Sequence, residues 1–166
     1  PEMFLPTAED NGLLGVLHPG HYYKHNPISL PYEKRKRSTA YIKYTKGETY
    51  HYFMGGVNGG THEAFYRLSH VCSENIKKDL DRNCIAIYHD ESHLNHFFHN
   101  KKIKILPPSF GFPEGSNIPF EPYIIIRNKM KHGGKYFDKL PTTAYVQRIK
   151  RRIKELYRNI LWILNF

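Results

Sequence analysis

A β-prone stretch, a glycine-rich segment and a long amphipathic pattern follow one another between residues 50 and 80. Residues 50–54 are mostly aromatic, and aromatic side chains favour strands. From 61 to 80, apolar residues recur every four positions, as one face of a helix requires; they are Ala64, Leu68, Cys72, Ile76 and Leu80. Thr61 or the glycine before it can open this helix. The chain must therefore place a long helix directly after a strand.

Short apolar segments flank this unit on both sides, and each is predicted to be a strand. The segments are Leu13–Leu17 and residues 84–88, 102–106 and 123–127. Residues 89–99 follow the second of them and are predicted to form a short helix. Irregular loops are expected over residues 21–39 and 107–119. This alternation of strands and helices predicts an α/β fold.

The charge of the chain is unevenly distributed. Its 166 residues carry a net charge of +10 and are 40% hydrophobic, which is enough for one domain with a core. Residues 141–166 hold six basic residues and one acidic residue, so half of the excess lies there. The mildly basic remainder suits a phosphate-bearing ligand but is also common in proteins without one. The basic run 34–37 is expected to be a solvated surface, and no nucleic-acid partner is predicted.

Cys72 and Cys84 are the two cysteines of the chain, and they exclude a disulfide framework. We expect free thiols in a reducing compartment, and therefore a cytoplasmic protein. No apolar run reaches the ~18 residues that would span a bilayer. The first residues, Pro1-Glu2-Met3, are unlike a natural N-terminus, so we expect the chain to be truncated there.

Residues 141–166 are predicted to form a basic amphipathic helical tail after a main domain of residues 1–140. One helical face carries Val146, Ile149, Ile153, Leu156, Ile160 and Leu164. Such a helix can lie on an anionic membrane, here at the inner membrane face of the cell, or dock on its own domain or a partner. Composition alone does not separate these alternatives.

Asp90 and Glu91 are adjacent carboxylates between His89 and His93, directly after the apolar run 84–87. Charged groups at the end of a buried strand are costly to desolvate unless they are used. They could bind a metal ion, but neighbours in sequence cannot all face one ion on a helix. They could also act on a sugar, because glycosyl transfer needs a carboxylate beside the anomeric carbon. A plain helix cap is the third interpretation.

Three other polar segments have both a functional and a structural interpretation. Residues 55–60, with two Gly-Gly pairs, let a ligand approach the backbone closely, or simply form a tight strand-to-helix turn. Lys129 and Lys131 can clamp phosphates or only keep the surface soluble. Asp79 and Asp81 form an Asp-x-Asp string where the predicted helix ends, which indicates a solvated helix terminus.

Several blocks of the sequence occur in a specific order and spacing. They are Gly15-Val16-Leu17-His18-Pro19-Gly20, Tyr32-Glu33 with Ala40-Tyr41-Ile42, Met54-Gly55-Gly56-Val57-Asn58-Gly59-Gly60, and His89-Asp90-Glu91-Ser92-His93-Leu94-Asn95. Together they resemble glycosyltransferase family 6, the family of the histo-blood-group A and B transferases and α-1,3-galactosyltransferases. The resemblance covers about residues 5–134, and the segments 112–115 and 119–122 resemble the bacterial branch.

The resemblance implies the C-terminal portion of a GT-A-type fold, with a Rossmann-like mixed sheet. The implied reaction is a retaining transfer of N-acetylgalactosamine (GalNAc) or galactose (Gal) from a UDP-sugar to a galactoside acceptor, fucosylated or not. Glu91 matches the catalytic carboxylate of the family. It would act as the nucleophile or as the stabiliser of an oxocarbenium-like ion pair, and the resemblance leaves this choice open.

The resemblance also implies binding residues. The donor-binding set is Met54, Gly55, Gly56, Asp90, Lys129 and Lys131, and the acceptor-binding set is His18, Tyr88 and His89. Gly56 leaves room for an N-acetyl group and favours UDP-GalNAc, whereas Met54 is the residue expected beside galactose. The lysines would neutralise the pyrophosphate leaving group, whose charge grows in the transition state.

The chain departs from the family pattern in ways that matter for function. Tyr88 replaces a tryptophan, which alters the acceptor pocket, and residues 141–166 have no counterpart. The Asp-x-Asp metal motif, or its Asn-x-Asn replacement in bacterial members, would precede residue 1. The sequence therefore assigns no metal ligand and leaves Mn²⁺ dependence open. We expect this chain alone to be inactive; the alternatives are a non-catalytic carbohydrate- or membrane-binding fragment and a His/carboxylate metalloenzyme.

Overall fold

The computed structural model describes residues 4–24, 26–133 and 145–164. Within them, the strands and helices are β1 Leu13–Leu17, β2 Phe53–Gly60, α1 His62–Asp81, α2 His89–Phe98, β3 Lys104–Leu106, β4 Phe112–Pro113, β5 Ile125–Ile126, α3 Lys129–His132 and α4 Tyr145–Ile163. Short 3-10 turns occur at Ala8–Asp10, Pro27–Ser29 and Pro108–Gly111. None of these helices combines the length and the apolar character needed to cross a membrane.

β1 is the central strand of a three-stranded mixed sheet with the order β2-β1-β3. It pairs antiparallel with β2 and parallel with β3. Leu13 packs with α1 and α2 on one face of the sheet, whereas Leu14 and Val16 pack with Met54 and Phe110 in a second cluster. Burial on both faces is what a central strand requires. The architecture is the predicted mixed α/β fold, consistent with a partial GT-A-type domain.

β2 runs through the glycine-rich segment, where a tight turn is the simpler expectation from the sequence. The segment pairs with β1 as far as Gly60. A Cβ at Gly60 would lie 2.4 Å from the carbonyl oxygen of Gly12, so this strand pairing requires a residue without a side chain. The start of α1 is set by Thr61, whose side-chain oxygen accepts a hydrogen bond from the Ala64 N–H. The expected turn at residues 55–60 is therefore wrong.

α1 and α2 pack against each other next to β1, close to the predicted bounds of 61–80 and 89–99. Leu68 of α1 belongs to the same buried cluster as Leu94, Phe97 and Phe98 of α2. The apolar face predicted for α1 is buried only in part, since Leu80 is 54% exposed. The helix is thus held by its N-terminal half and by a polar contact near its C-terminal end.

That polar contact is Asp79, which is buried although the sequence predicts a solvated helix terminus. Its carboxylate accepts hydrogen bonds from the Ser38 hydroxyl at 2.5 Å and the Thr39 N–H at 2.7 Å. Burial alone would raise the pKa of Asp79, but the hydrogen bonds from Ser38 and Thr39 lower it overall. The prediction is wrong for Asp79, which anchors a loop to α1, while Asp81 is exposed.

Residues 84–88 do not form the predicted strand. Ile85 is exposed, and the backbone of the segment is held by side chains from a distant loop. The Glu33 carboxylate accepts a hydrogen bond from the Ile87 N–H at 2.8 Å, and the Arg35 guanidinium donates to the Ile85 carbonyl at 2.6 Å. Because these groups take the place of a neighbouring strand, an apolar run that resembles a strand becomes an irregular connection.

The C-terminal strands are shorter than the sequence predicts. The strand expected over 102–106 begins at Lys104, and the strand expected over 123–127 is reduced to Ile125–Ile126. β5 pairs in parallel with β4 in a separate two-stranded sheet. Ile125 is 54% exposed, whereas Ile126 packs against the second cluster, so this apolar stretch contacts the core on one side only.

α4 docks on the body of the domain through one face. The Trp162 side chain is buried, and its indole N–H donates to the Ile42 carbonyl. The Lys34 ammonium donates to the Asn159 side-chain oxygen and lies 5.1 Å from the centre of the Trp162 ring. Ile153, on the predicted apolar face, is nine positions from Trp162 and points to the opposite side of a helix with 3.6 residues per turn. It is 63% exposed, and Ile160 and Leu164 are exposed as well, so these positions of the predicted apolar face are turned away from the domain.

Candidate active site

Glu91 lies in the first turn of α2 and faces β2. Its Oε1 accepts a hydrogen bond from the Tyr52 hydroxyl at 2.8 Å, and its Oε2 accepts one from the Gly55 N–H at 2.7 Å. The two donors lie three residues apart at the start of β2 and fix the plane of the carboxylate, and each oxygen keeps a second lone pair. The side chain is half-buried. A carboxylate held in this way can stabilise positive charge that develops on a sugar.

Asn95 couples α2 to β2 one helical turn after Glu91. Its side-chain oxygen accepts from the Phe53 N–H and its side-chain nitrogen donates to the Phe53 carbonyl, both at 2.8 Å, as a neighbouring strand would. The same nitrogen donates to the Glu91 carbonyl at 2.9 Å. Because Asn95 is buried, these bonds set the position of Glu91 relative to β2. The sequence patterns give Asn95 no role beyond membership of the motif, although its i, i+4 spacing from Glu91 is a usable signal.

Tyr52 is a site residue that the sequence patterns do not mark. Its ring is buried and its hydroxyl donates to Glu91. Burial, followed by the charge of Glu91, raises the pKa of Tyr52 far above its ordinary value, so the phenol remains a donor at physiological pH. Tyr50 and Tyr52 are both buried in one cluster with Tyr32. This spacing of two is the signal by which the residue could have been found.

His18 follows β1 and belongs to an aromatic group with His21 and Tyr52. The ring centres of His18 and His21 lie 4.6 Å apart. The ring centre of Tyr52 lies 5.8 Å from that of His18 and 5.4 Å from that of His21. The Gly20 N–H donates to His18 Nδ1 at 3.0 Å, so the proton of the neutral ring is on Nε2. Burial lowers the pKa of His18, and burial followed by the nearby His18 lowers the pKa of His21 to about 4. Both rings are therefore mainly neutral at pH 7.

Acidification is expected to destabilise the fold through its half-buried and buried histidines. Burial lowers the folded-state pKa of five of them, namely His18, His21, His93, His96 and His99. The unfolded chain, with histidine pKa values near 6.5, then binds protons first. Their stabilising contribution is complete above about pH 6.5 and is lost as the pH falls through the folded values. The thermal unfolding midpoint should fall between about pH 7 and about pH 4.5, and less steeply for His21→Gln. If the unfolding midpoints of His21→Gln and of the unmodified chain fall equally with pH, His21 does not contribute to the loss of stability in acid.

Gly55 presents bare backbone to Glu91, whereas Gly56 lies on the face of β2 that Met54 occupies. A Cβ at Gly55 would lie 3.3 Å from both Cβ and Oε2 of Glu91, which is tighter than an ordinary contact. A Cβ at Gly56 would meet the Met54 methyl group at 3.3 Å, and Gly56 is exposed. Met54 itself is buried among Val16 and other core residues. Since neighbours in a strand point to opposite faces, the predicted donor contacts of Gly55 and Met54 lie on different faces of β2.

Asp90 and His89 are on the side of α2 that meets α1, not with Glu91. They line an apolar pocket of about 320 Å³ whose walls include Ile76, Leu80, Cys84 and Ile85. Burial, and then the charge of Asp90, raises the pKa of Cys72 in α1 to about 11. Consecutive helical residues point about 100° apart, which explains why two adjacent carboxylates face different surroundings. The donor role of Asp90 and the acceptor role of His89 stay predictions.

Tyr88, immediately before α2, lies with the aromatic group. It is 42% exposed, and its phenol is close enough to Tyr52 to contribute to the raised pKa of that residue. Tyr88 and His21 both line a cavity of about 350 Å³. Lys129 and Lys131 are exposed on α3, a separate element after β5. The structure thus brings His18 and Tyr88 together near Glu91, and the role of the two lysines stays a prediction.

The described residues contain no group of three or more His, Cys, Asp or Glu side chains that could hold a metal ion. In the motif 89–93, the side chains diverge. His93 is buried with its Nε2 at 3.8 Å from an Asp79 oxygen, whereas Glu91 faces Tyr52. The motif therefore offers a carboxylate site rather than a set of converging metal ligands.

Comparison with known proteins agrees with the motifs. The family described as Glycosyltransferase family 6 matches residues 9–128. The O-antigen biosynthesis glycosyltransferase WbnI of Escherichia coli is 36% identical over 128 residues, which are 77% of this chain and 53% of that protein. The histo-blood group ABO system transferase 2 of Rattus norvegicus is 36% identical over 101 residues, 60% of this chain and 29% of its own length.

A third relative is the globoside alpha-1,3-N-acetylgalactosaminyltransferase 1 of Gallus gallus, which is 33% identical over 114 residues. These residues are 68% of this chain and 32% of that protein. The chain therefore spans about half the length of the bacterial relative and about a third of the two vertebrate ones. The family match ends at residue 128, so α4 lies outside it.

Proposed function

The chain belongs to glycosyltransferase family 6, as its motifs predict, and we propose that it forms part of a retaining α-1,3-glycosyltransferase. The proposed reaction transfers GalNAc or Gal from a UDP-sugar to a galactoside acceptor. One observation carries the proposal: the Glu91 carboxylate is held by the Tyr52 hydroxyl and the Gly55 N–H beside bare glycine backbone. That placement gives a fixed negative charge beside a surface that a sugar can approach closely.

The proposed chemistry is charge stabilisation at the anomeric carbon. As the bond between the sugar and UDP breaks, positive charge develops on the sugar ring, and Glu91 on the opposite face of the ring stabilises it. If Glu91 forms a covalent bond to the anomeric carbon, the acceptor hydroxyl displaces it from the opposite face; if Glu91 stabilises an ion pair, the hydroxyl attacks from the face that UDP leaves. Both routes retain the configuration, and the hydroxyl proton passes to the departing UDP phosphate. Neutral His18 offers its Nε2–H to an oxygen of the acceptor, and Lys129 or Lys131 neutralises the departing pyrophosphate.

Transfer by the complete protein tests this proposal. UDP-GalNAc and UDP-Gal are supplied side by side with 2′-fucosyllactose or lactose, each with and without EDTA. We expect transfer from at least one donor, with UDP-GalNAc preferred because Gly56 leaves room for its N-acetyl group. Activity that survives EDTA identifies a metal-independent enzyme. No transfer with either donor and either acceptor would favour the alternative of a carbohydrate-binding protein without catalysis.

Alanine at the two glycines should have different effects. Gly55→Ala places a methyl group against Glu91 and displaces the carboxylate, so transfer from both donors should fall by about tenfold or more. Gly56→Ala meets only the flexible Met54 side chain, so it should leave transfer of Gal nearly unchanged and lower transfer of GalNAc. The values of kcat/KM for both donors measure the difference. An equal loss in the two variants would contradict the geometry proposed for Glu91.

A second proposed role is contact of residues 141–166 with an anionic membrane surface, such as the inner face of the cytoplasmic membrane. The supporting observation is the outward face of α4, where Ile153, Ile160 and Leu164 are exposed. Apolar side chains beside basic ones are typical of interfacial helices. Removal of residues 141–166 should reduce sedimentation with phosphatidylglycerol vesicles. Equal sedimentation of both proteins would contradict this role.

A further inference from the structure

α4 closes one side of the cavity that contains Tyr88 and His21. From the body of the domain, Lys24 and residues 28–34 contribute its other side. From α4, the lining residues are Arg152, Glu155, Leu156 and Asn159. Since the family match ends at residue 128, this wall lies outside the part of the chain that the family matches.

A single layer of aromatic rings lies between the cavity and Glu91. His21 lines the cavity, and its ring centre lies 5.4 Å from that of Tyr52. The Tyr52 hydroxyl is in turn 2.8 Å from a Glu91 oxygen. Tyr88 also lines the cavity, is 42% exposed and precedes Glu91 by three residues. A route from Glu91 to the cavity would pass over this exposed ring rather than through the buried Tyr52.

The charged groups of the cavity favour an anion. Lys24, Lys34 and Arg152 line it, against one acidic residue, Glu155. The Lys34 ammonium lines the cavity and is held there by hydrogen bonds to the Ile28 carbonyl and to the Asn159 side chain of α4. Burial lowers the pKa of Lys34 to about 8, because the charged form is incompletely solvated there. An anion in the cavity would supply the solvation that this ammonium lacks.

We propose that α4 extends the acceptor site, and that the cavity binds an anionic group carried by the acceptor beyond its reacting galactose. The group is a phosphate or a carboxylate, attached to the next sugar of a galactoside. Arg152 contacts this group directly, and Glu155 limits how strongly it is bound. The inference rests on the proposed function, because that function identifies Glu91 as the reacting end of the acceptor site.

The fluorescence of Trp162 provides a measurement that does not depend on turnover. Trp162 is the one tryptophan of the 166-residue chain, and its ring lies 5.1 Å from the Lys34 ammonium. The chain is titrated with lactose 1-phosphate, with lactobionate and with neutral lactose. The variants are Arg152→Gln, Glu155→Gln and, as a matched control on an exposed position of the same helix, Lys154→Gln. Circular dichroism checks that each variant keeps its helix content.

We expect at least one anionic disaccharide to change the emission of Trp162 at about tenfold lower concentration than lactose. Arg152→Gln should weaken that binding by about fivefold, Glu155→Gln should strengthen it, and Lys154→Gln should leave it unchanged. A response to only one of the two anions identifies that anion as the ligand type. Equal binding of lactose and both anions, or equal affinities for Arg152→Gln and Lys154→Gln, would overturn the inference. Neither result depends on transfer, so failure of the proposed reaction is detected separately in the turnover assay.

Discussion

Glu91→Gln in the complete protein is expected to lower kcat for sugar transfer by about 100-fold or more and to leave UDP-sugar binding nearly unchanged. Glutamine has the size of glutamate, and its side-chain oxygen can still accept a hydrogen bond from Tyr52 or Gly55. It has no negative charge to stabilise an oxocarbenium-like transition state. Because this charge develops only as the donor bond breaks, the loss should fall on kcat rather than on binding.

A charge-matched control separates this effect from a general loss of acidity. Glu63 lies in the first turn of α1 with an exposed side chain, and Glu63→Gln should retain full activity. Donor affinity is measured by calorimetry with UDP-GalNAc. Transfer by Glu91→Gln within about tenfold of the unmodified protein would refute the assigned role. If both the unmodified protein and Glu91→Gln bind UDP-GalNAc but neither transfers the sugar, the protein is instead a binding module.

Glu33→Ala is expected to destabilise the chain by about 3 kcal/mol, which lowers its unfolding midpoint by roughly 10 °C. The Glu33 side chain is fully buried and makes two side-chain hydrogen bonds with Arg35, at 2.9 and 2.6 Å. It also accepts from the backbone N–H groups of Arg35 and Ile87. Alanine would leave these donors without their acceptor, and it would release the segment that leads into α2.

The pH dependence of this variant gives an independent check. Burial would raise the pKa of Glu33, but the hydrogen bonds from Arg35 and Ile87 lower it overall. Its stabilising contribution is therefore present above the unfolded value of about 4.5 and is lost as the pH falls through the lower folded value. The difference in unfolding midpoint between Glu33→Ala and the unmodified chain should shrink in acid. Glu74→Ala removes an exposed ion pair with Lys77 and should change the midpoint little. A similar loss in both variants would contradict a special role for Glu33.

The elements that the sequence predicts well are those specified by their own residues. β1, α1 and α2 lie close to their expected bounds. β1 carries a continuous apolar run and α1 an apolar residue at every fourth position, and both patterns are local to the element. The motif around Glu91 is likewise recognisable, since residues 89–95 are contiguous in sequence. Family membership followed from the same blocks.

The features that the sequence does not predict depend on contacts between distant residues. The apolar run 84–87 has the composition of a strand, but Glu33 and Arg35 occupy its backbone groups. Asp79 is predicted to be solvated because it lies near the end of a helix, but its carboxylate is buried and accepts hydrogen bonds from Ser38 and Thr39. These contacts come from loops some 40 or 50 residues away in the chain, so a local sequence pattern cannot predict them.

The orientation of α4 is likewise not predicted by its local sequence pattern. Its apolar face gives the strongest periodic signal in residues 141–166, yet the structure turns Ile153 outward and docks Trp162 inward. The docked face is held by the contacts of Trp162 with Ile42 and of Asn159 with Lys34. The orientation of the helix therefore follows the contacts of Trp162 and Asn159, and it is not predicted by the period of the aliphatic side chains.

A retaining transfer supported by Glu91 determines the configuration of the new glycosidic bond, which can be measured in the product. The complete protein is supplied with UDP-GalNAc, in which the sugar is α-linked, and with 2′-fucosyllactose, and the new linkage is determined by NMR. We predict an α-1,3 bond to the galactose, as retention through a carboxylate on the opposite face of the sugar requires. A β-linked product would contradict the role of Glu91 and the retaining mechanism together.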